Sequence, residues 1–388
     1  MAPAAPRFFE LLATDGAARR GRLSTPHGPV DTPAFMPVAT QGSVKSLTPD
    51  DLVAAGAQIV LGNTYHLFLR PGHDVVRELG GLHRFMGWDG PILTDSGGFQ
   101  VYSLSRIREI REDGAVFRSH LDGSEQFLSP ERSVEVQLAL GVDIIHPLDQ
   151  CLGHPASEAA TEASLGLTLR WLDRSVRAWR ADGGAATLFG IVQGGMYENL
   201  RRRAVAATRA FGLRGYAIGG LAVGEPKPLM YDLTELCAGL LPPDRPRYLM
   251  GVGKPQDLIE SVARGVDMFD CVMPTRNARN GQAFTPDGPL AISNARHQRD
   301  AAPLDADCPC PACRRFSRAY LRHLFLAKEL LAYRLLSIHN LTFYLGLMAQ
   351  MREAIAEGSF GAFRSRFLER YGVESHVDRD DLSARLET

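Results

Sequence analysis

The stretch 268–276, Met-Phe-Asp-Cys-Val-Met-Pro-Thr-Arg, places one carboxylate inside a short apolar run that a proline ends. Asp270 is flanked by Phe269, Cys271 and Val272. A carboxylate in apolar surroundings is costly unless it is paired or used in chemistry, so Asp270 is a candidate functional residue. Taken alone it fits a structural loop or cap aspartate better. Its role therefore depends on what the fold brings beside it.

Other short apolar segments also end in residues that could do chemistry. These residues are Asp95, Asp149, Gln193, Gly219, Gly220, Leu221, Met250 and Asp270. Three carboxylates and an amide around an apolar floor suit a flat ligand with polar edges, such as a purine, held between Phe99 and Met250. Two carboxylates across a sugar also suit displacement at an anomeric carbon, one as nucleophile and one as proton shuttle. For each acid alone, a hydrogen bond to a loop backbone remains the alternative.

The segments that carry these residues recur as strand-then-helix units. The predicted strands are 34–38, 58–63, 91–95, 143–149, 188–193, 216–221, 247–251 and 268–273. Helical patterns separate them, such as 65–79, and Thr48-Pro49-Asp50-Asp51 has the residues of a helix start. Eight such units predict an α/β fold of the (β/α)₈ TIM-barrel type, with the chemistry at the carboxyl ends of the strands. An open doubly wound sheet is the alternative, although no glycine-rich dinucleotide fingerprint follows the first strand.

Three regions depart from the repeating unit. Residues 8–35 predict a short antiparallel lead-in that covers one end of the sheet. Segments 115–128 and 282–293 predict β-hairpin insertions, because each has Asp-Gly between alternating residues.

The cysteines predict a metal site rather than disulfides. Cys308, Cys310 and Cys313 lie within six positions and His339 follows, which gives a complete tetrahedral set for zinc. Four protein ligands leave no open position, so the site is expected to be structural. His323 is the alternative fourth ligand; His339 is preferred because it lies past the apolar stretch 330–338. We expect residues 1–295 to form the barrel with its lead-in, and 296–388 a zinc-binding subdomain with C-terminal helices packed on the barrel.

Composition limits the class of protein. The chain has 388 residues, of which 45% are hydrophobic and 22% charged, and 43 basic residues oppose 44 acidic ones. Any contact with nucleic acid must therefore come from a local patch. Segment 296–334 is such a patch, with eight basic against four acidic residues, next to Arg276 and Arg279. A solvated helix face is the alternative. Neither a signal peptide nor a run of about 18 apolar residues is found, so we expect a cytoplasmic protein without membrane spans.

The chain resembles the bacterial tRNA-guanine transglycosylases, the queuine tRNA-ribosyltransferases. The similar motifs are 93–100 (LTDSGGFQ), 190–195 (GIVQGG), 219–225 (GGLAVGE), 248–253 (YLMGVG), 269–276 (FDCVMPTR), 279–284 (RNGQAF) and the cysteine–histidine set. The resemblance implies a glycosyltransferase (pentosyltransferase) of queuosine biosynthesis. Such an enzyme exchanges guanine at the anticodon wobble position of tRNA for 7-aminomethyl-7-deazaguanine through a covalent ribosyl-aspartate.

The resemblance also implies roles for individual residues. Asp270 would be the nucleophile and Asp95 the general acid/base. The incoming or leaving base would be bound by Ser96, Phe99, Asp149, Cys151, Gln193, Gly220, Leu221, Glu225 and Met250. Arg276 and Arg279 would lie near the anticodon. Cys308, Cys310, Cys313 and His339 would hold one structural Zn²⁺ per subunit of a homodimer.

Some positions differ from the usual family pattern. Position 99 is Phe where Tyr is common, Gln150 follows Asp149 where an acid is usual, and His146 is unusual in its strand. Cys151 and Val223 are retained and imply a tight pocket that favours the small aminomethyl base over queuine. Three other functions are alternatives. A non-catalytic RNA-binding subunit would lack the nucleophile, and a zinc hydrolase needs an open metal position. The third is a transglycosylase for DNA or another tRNA position.

Overall fold

The computed structural model describes residues 7–104, 108–183 and 186–372. Its strands are β1 Phe9–Asp15, β2 Ala18–Thr25, β3 Gly28–Thr32, β4 Ala34–Met36, β5 Val38–Ala39, β6 Val60–Gly62, β7 Ile92–Thr94, β8 Arg108–Ile110, β9 Ala115–Arg118, β10 Glu125–Leu128, β11 Ile144–Ile145, β12 Thr187–Val192, β13 Gly215–Ile218, β14 Arg247–Leu249, β15 Met268–Asp270, β16 Gln282–Thr285 and β17 Gly288–Ala291.

The α-helices are α1 Pro49–Ala55, α2 Thr64–Leu69, α3 His73–Glu78, α4 Gly81–Met86, α5 Gly98–Leu104, α6 Pro130–Leu140, α7 Glu158–Ala181, α8 Glu198–Arg209, α9 Lys227–Leu240, α10 Pro255–Val262, α11 Met273–Arg279, α12 Pro311–Arg315, α13 Arg318–Leu326, α14 Leu330–Ala356 and α15 Phe360–Arg370. Within the described ranges, no helix is both long and apolar enough to cross a bilayer.

The central sheet is a closed parallel barrel, as the sequence predicted. Its order is β4-β15-β14-β13-β12-β11-β7-β6-β5. The two edge strands β4 and β5 are halves of one extended segment, separated only by Pro37, whose carbonyl accepts a hydrogen bond from the Leu61 amide. The chain itself therefore closes the ring, and the two halves count as the first of eight barrel strands. Every strand end on the carboxyl side faces the same rim.

The barrel strands are short and apolar because both faces are buried. Inward side chains such as Met36, Leu93 and Tyr248 form a cluster that also contains Phe9 and Val30 from the antiparallel sheet β1-β2-β3. That sheet therefore covers the amino end of the barrel, as predicted, and leaves the carboxyl end for the site.

Local signals fix the helices that follow the strands. Thr48 makes a full capping box at the start of α1, with Pro49 in the first turn, and Gly56 ends the helix at φ 90°. The predicted helix 65–79 is wrong in one respect: it is divided into α2 and α3, because Pro71 has no N–H to continue α2.

Both predicted hairpins are present. β16 and β17 form the second one, and β9 and β10 form the first, which a third strand, β8, extends into a three-stranded sheet. The sequence did not predict β8.

The long helix α14 packs on α1, α11, β1, β2, β4 and β16 and so joins the C-terminal region to the barrel. Asn340 makes the closest connection. Its Nδ2 donates to the carbonyls of Pro274 and Gln282, and its Oδ1 accepts from the Phe284 amide, all at 2.9 Å. The start of α11, just after Asp270, is therefore fixed from behind by α14.

Candidate active site

Asp95 directly follows β7 and is buried at the carboxyl end of the barrel. Its Oδ2 accepts a hydrogen bond from Asn63 Nδ2 at 2.5 Å, and its Oδ1 accepts one from the Thr64 amide at 2.9 Å. Both donors follow β6, the neighbouring strand. Burial raises the pKa of Asp95 to about 6, against these two hydrogen bonds, and the charge of Asp270 also raises it. The carboxyl group can thus take up or release a proton near neutral pH.

Asp270 ends β15 and is partly exposed on the same rim. Its Oδ1 accepts two hydrogen bonds, from the Tyr248 hydroxyl at 2.6 Å and from the Gly251 amide at 2.8 Å. Among the described residues, none donates to Oδ2 within hydrogen-bonding distance. Burial raises the pKa of this carboxyl group, and its two hydrogen bonds act in the opposite direction. One oxygen is therefore held in place while the other stays available to a reactant.

Asp149 lies next to Asp95 around the rim, after β11. Its Oδ1 accepts a hydrogen bond from Ser96 Oγ at 2.9 Å, and its Oδ2 accepts one from Gln193 Nε2 at 2.7 Å. All three side chains are buried. Burial raises the pKa of Asp149 despite both hydrogen bonds. Because each carboxylate oxygen can accept two hydrogen bonds, Asp149 keeps acceptor capacity for the polar edge of a ligand.

Two glycines at the rim allow the backbone to approach these polar groups closely. A Cβ at Gly98 would lie 2.4 Å from the Asp149 carbonyl oxygen, and one at Gly220 would lie 2.3 Å from Gln193 Oε1. Gly220 also has φ 66°, which other residues rarely adopt. Any side chain at either position would displace Asp149 or Gln193.

Glu225 fixes the peptide bond between Leu221 and Ala222. Its two carboxylate oxygens accept hydrogen bonds from the amides of Ala222 at 2.5 Å and Val223 at 2.9 Å. Ala222 has φ 58°, so this turn depends on those contacts. The buried carboxylate of Glu225 therefore sets the orientation of the Leu221 carbonyl.

Phe99 and Met250 are chain neighbours of Gly98 and Gly251, which contact Asp149 and Asp270, and Cys151 lies two residues after Asp149. Phe99 is 49% exposed on α5, whereas Met250 is partly buried against the barrel interior. Cys151 is buried on the wall of an open cleft that Gly98 and Asp149 also line. Burial raises the pKa of the Cys151 thiol to about 12, so the thiol stays neutral and forms an apolar wall.

Arg276 and Arg279 lie on α11, immediately beyond Asp270. Neither forms an ion pair with any acid in the described ranges. Arg279 Nη1 is buried without a hydrogen-bond partner. Burial lowers the pKa of Arg279, and the neighbouring charge of Arg276 lowers it further. Two adjacent cations with free donors provide a place for an anion such as a phosphate.

The predicted basic segment 296–334 is only partly free. Arg318 pairs with Asp300 at 3.2 Å, Arg334 pairs with Asp51 at 2.9 Å, and Arg322 donates to the carbonyls of Ser293 and Asn294. These arginines therefore stabilise the C-terminal region. The count of basic residues in the sequence overestimated the number of side-chain donors that remain for an external ligand.

Residues that hold the site from behind were missed by the sequence reasoning. Arg201 on α8 is completely buried and donates to four carbonyls, those of Val192, Gly195, Gly219 and Gly220. It ties the loops after β12 and β13 together beneath Gln193. Its position in the helix could have indicated that it is buried. On the same face of α8, four other residues are buried: Leu200, Ala204, Val205 and Thr208. Tyr248 and Asn63 were missed because they read as ordinary strand residues.

The four predicted metal ligands come together, so the choice of His339 over His323 is supported. The ligand atoms of Cys308, Cys310, Cys313 and His339 lie within 4.8 Å of one another, whereas His323 is exposed on α13. His339 follows the stretch 330–338, as predicted, and both lie within α14.

The orientation of His339 fits a metal ligand. Its Nε2 lies 2.8 Å from the Phe284 carbonyl and donates to it, which leaves the Nδ1 lone pair directed toward the thiols, 3.2 Å from Cys313 Sγ. Such a second hydrogen bond is typical of metal-bound histidine. Three sulfurs and one nitrogen are the donor set that zinc prefers, and the cluster could hold that ion.

Comparison with known proteins identifies the family. A family profile described as "Queuine tRNA-ribosyltransferase" matches residues 15–373. A protein of that name from Solidesulfovibrio magneticus is 57% identical over 361 residues, covering 93% of this chain and 97% of its own length. A protein of the same name from Pseudomonas syringae pv. tomato is 55% identical and covers 94% of this chain and 98% of its own length. Another, from Dictyoglomus turgidum, is 52% identical and covers 98% of this chain and 99% of its own length.

The description names a transferase, the class of enzyme that the motifs predicted. The resemblance inferred from the sequence is confirmed, and the chain belongs to the queuine tRNA-ribosyltransferase family.

Proposed function

We propose that this chain exchanges guanine at the wobble position of a tRNA anticodon for 7-aminomethyl-7-deazaguanine, by two successive displacements at C1′ of the ribose. The observation that carries the proposal is the carboxylate pair on one rim. Asp270 has one anchored and one available oxygen, and Asp95 has a pKa of about 6. Family membership supplies the class of reaction.

In the first displacement, Asp270 Oδ2 attacks C1′ and forms an ester with the ribose. The bond between C1′ and N9 breaks, its electron pair leaves with guanine, and Asp95 supplies a proton to the departing base. Tyr248 and the Gly251 amide hold the nucleophile in position through Oδ1. The phosphodiester backbone takes no part, so the RNA stays intact.

In the second displacement, the incoming base loses a proton to Asp95 and its nitrogen attacks C1′. The ester bond breaks and Asp270 leaves as a carboxylate, so both acids return to their initial states. A pKa near the working pH suits a group that must act first as acid and then as base. Two inversions at C1′ retain the configuration of the nucleoside.

The base would be recognised along its edge by groups that are already fixed. Asp149, Gln193 and Gly220 accept or donate to the pyrimidine edge, and the Leu221 carbonyl, held through Glu225, meets the aminomethyl group. Ser96 orients Asp149, and Phe99 and Met250 stack on the two faces. The neutral Cys151 closes the wall, which favours the small base over queuine. Arg276 and Arg279 bind phosphates of the anticodon loop.

We further propose one structural Zn²⁺ per chain, held by the three cysteines and His339, and a homodimer in the cytoplasm. A closed set of four ligands has no position for a reacting water, so chelation should loosen the packing of α12 to α14 rather than remove a catalytic group.

An apolar surface supports the proposed dimer. Around α13, four large side chains are 40–80% exposed: Tyr320, Leu326, Leu330 and Leu331. Equilibrium sedimentation of the intact protein measures the assembly.

The experiment for the exchange is incorporation of labelled guanine into unmodified tRNA with a wobble guanosine. The intact protein should incorporate label, and the Asp270→Asn variant should not. Asp244→Asn is the matched control, because Asp244 is exposed and remote from the rim. A tRNA with another wobble base should stay unlabelled. Failure of the folded intact protein to incorporate label would overturn the proposal.

A further inference from the structure

A second cluster of ligand-type side chains lies away from the two sites described above. Asp143 accepts contacts from two imidazoles, with His27 Nδ1 2.8 Å from Oδ1 and His83 Nε2 3.1 Å from Oδ2. The three ligand atoms all lie within 4.8 Å of one another. None of these residues belongs to the motifs that identify the family.

The cluster occupies the amino end of the barrel. Asp143 immediately precedes β11, whereas Asp149 follows the same strand at the opposite rim. His27 lies in the turn between β2 and β3, and His83 lies in α4. The cluster therefore joins the covering sheet, a peripheral helix and the barrel wall, at the end remote from the carboxylate pair.

Asp143 is rigidly placed before any ligand is added. Its amide donates to the Ile92 carbonyl at 3.0 Å, and its carbonyl accepts from the Thr187 amide at 2.8 Å. The Ile92 amide also donates to Oδ2 at 2.9 Å. The Asp143 backbone is thus held by both neighbouring strands and its carboxylate by one of them, as a metal ligand should be.

The charge of Asp143 needs a partner. Its side chain is 0% exposed, and in the described parts of the chain no lysine or arginine pairs with it. A buried carboxylate is costly without a compensating positive charge. In the described ranges, the groups beside Asp143 that can carry positive charge are the two imidazoles, and a bound cation is the alternative.

The two imidazoles are stacked, with ring centroids 3.6 Å apart and planes 16° from parallel. The stack brings one nitrogen of each ring to the two oxygens of the same carboxylate. A cation bound by two neutral rings balances Asp143 without charging either ring.

We propose that His27, His83 and Asp143 form a second metal site, for a divalent first-row transition ion such as zinc. Imidazole nitrogen and carboxylate oxygen are donors that such ions accept. Zinc bonds of about 2.0–2.2 Å place tetrahedral ligand atoms about 3.4 Å apart. His27 is 39% exposed in a turn, so its ring can rotate out of the stack to reach this geometry and also gives the ion a route from solvent.

Three protein ligands leave one tetrahedral position to water. The effect of the ion would be structural, because it would tie the β2–β3 turn and α4 to the start of β11. Since the site is at the other end of the barrel, its occupancy should change the stability of the covering sheet and leave base exchange unaltered.

The experiment is a metal titration of the full-length protein after chelation. The intact protein should retain two equivalents of zinc through gel filtration, one at the cysteines and one at this cluster. The double variant His27→Gln/His83→Gln should retain one. His154→Gln, which replaces an exposed histidine of the loop before α7, is the matched control and should retain two.

Cobalt separates the two sites within the intact protein, which makes the result independent of how well any variant folds. Cobalt at the cysteines gives intense thiolate charge-transfer bands, whereas cobalt at a site of nitrogen and oxygen donors gives only weak ligand-field bands. We expect a second equivalent that adds ligand-field bands and no charge transfer. If the intact protein saturates at one equivalent, with thiolate bands only, Asp143 is balanced by a proton and the metal site is refuted.

Discussion

Aspartates lie at both ends of the barrel, but the groups that contact them differ. At the amino end, Asp143 and Asp267 face groups that can carry positive charge. At the carboxyl end, Asp95, Asp149 and Asp270 face only neutral hydrogen-bond donors among the described residues. The difference shows which buried acids serve the fold and which are left unbalanced for a ligand.

The amino end shows what a compensated acid looks like. Asp267 has a completely buried side chain, and it accepts from Arg19 Nε at 3.1 Å and from the Arg247 amide at 2.7 Å. Arg19 in turn donates to the Arg245 carbonyl at 2.9 Å. For Asp143, burial acts to raise the pKa, but the hydrogen bonds from His83, His27 and the Ile92 amide together hold it below its ordinary value.

Burial also raises the pKa of Asp267, to about 6, against the charge of Arg19 and the Arg247 amide, so the two ends differ in the charge of the partners. At the carboxyl end the partners are neutral. Burial raises the pKa of Asp95, Asp149 and Asp270, and their hydrogen bonds only reduce that effect. Since the donors that contact them in the described ranges are neutral, the acids can bind a proton, a polar base edge or an electron-poor C1′. Functional sites commonly sacrifice stability in this way.

The largest effect is expected for Asp95→Asn, which removes the proton shuttle and keeps the shape. Base exchange should fall by about 100- to 10,000-fold, the usual contribution of a general acid/base. The chain should stay folded, since the amide can still accept from the Thr64 amide. Turnover with labelled guanine and circular dichroism measure the two quantities. Unaltered turnover would refute the role of Asp95.

Asp267→Asn should have the opposite profile, because it leaves Arg19 buried without its partner. We expect a loss of about 3–5 kcal/mol in the free energy of unfolding, with exchange per folded molecule unchanged. Asp287→Asn is the control, since its pair with Arg370 is exposed and should contribute less than about 1 kcal/mol. Denaturant titration of all three proteins makes the comparison. Equal losses in the two variants would remove the distinction between the ends of the barrel.

A pH dependence of stability follows from the raised pKa of Asp95. Its folded pKa is about 6 against 3.8 for the ordinary group, so between these values the folded state holds more protons than the unfolded state. The unfolding free energy then falls as pH rises through this window, by about 2 kcal/mol for this residue. The Asp95→Asn variant should lack this part of the fall. Parallel curves for variant and intact protein, measured from pH 4 to pH 7, would contradict it.

Tyr248→Phe should have the smallest effect. It removes one of two hydrogen bonds on Asp270 Oδ1 and leaves the Gly251 amide in place. A hydrogen bond to a charged group contributes about 1.5–3 kcal/mol, so exchange should fall by about 10- to 150-fold. A shift of the acidic limb of the pH–rate profile toward higher pH should accompany it, because that hydrogen bond lowers the pKa of Asp270. A reduced rate with no shift would indicate a purely structural role for Tyr248.

The sequence was informative where chemistry and strand ends coincide. Asp95, Asp149, Gln193 and Asp270 each close an apolar segment, and in a parallel barrel all such ends meet at one rim. The cysteine spacing was equally informative, because three thiolates in six positions have few other uses. The roles of these residues in exchange remain predictions.

The supporting residues were not visible in the same way. Tyr248 contacts a residue that is 22 positions away in the sequence. Arg201 contacts residues that are 6 to 19 positions away. Those contacts depend on how strands and helices pack, which local patterns do not specify. The cluster at Asp143 was missed for the same reason, since His27 and His83 are 116 and 60 positions from it.

The central claim is that Asp270 becomes covalently attached to the RNA. The intact protein, incubated with unmodified wobble-guanosine tRNA in the absence of free base, should give a complex that survives denaturing electrophoresis. Mass spectrometry should place the ribosyl group on Asp270, and added guanine should release intact tRNA. Exchange without such an adduct, or an adduct that persists in Asp270→Asn, would contradict the account.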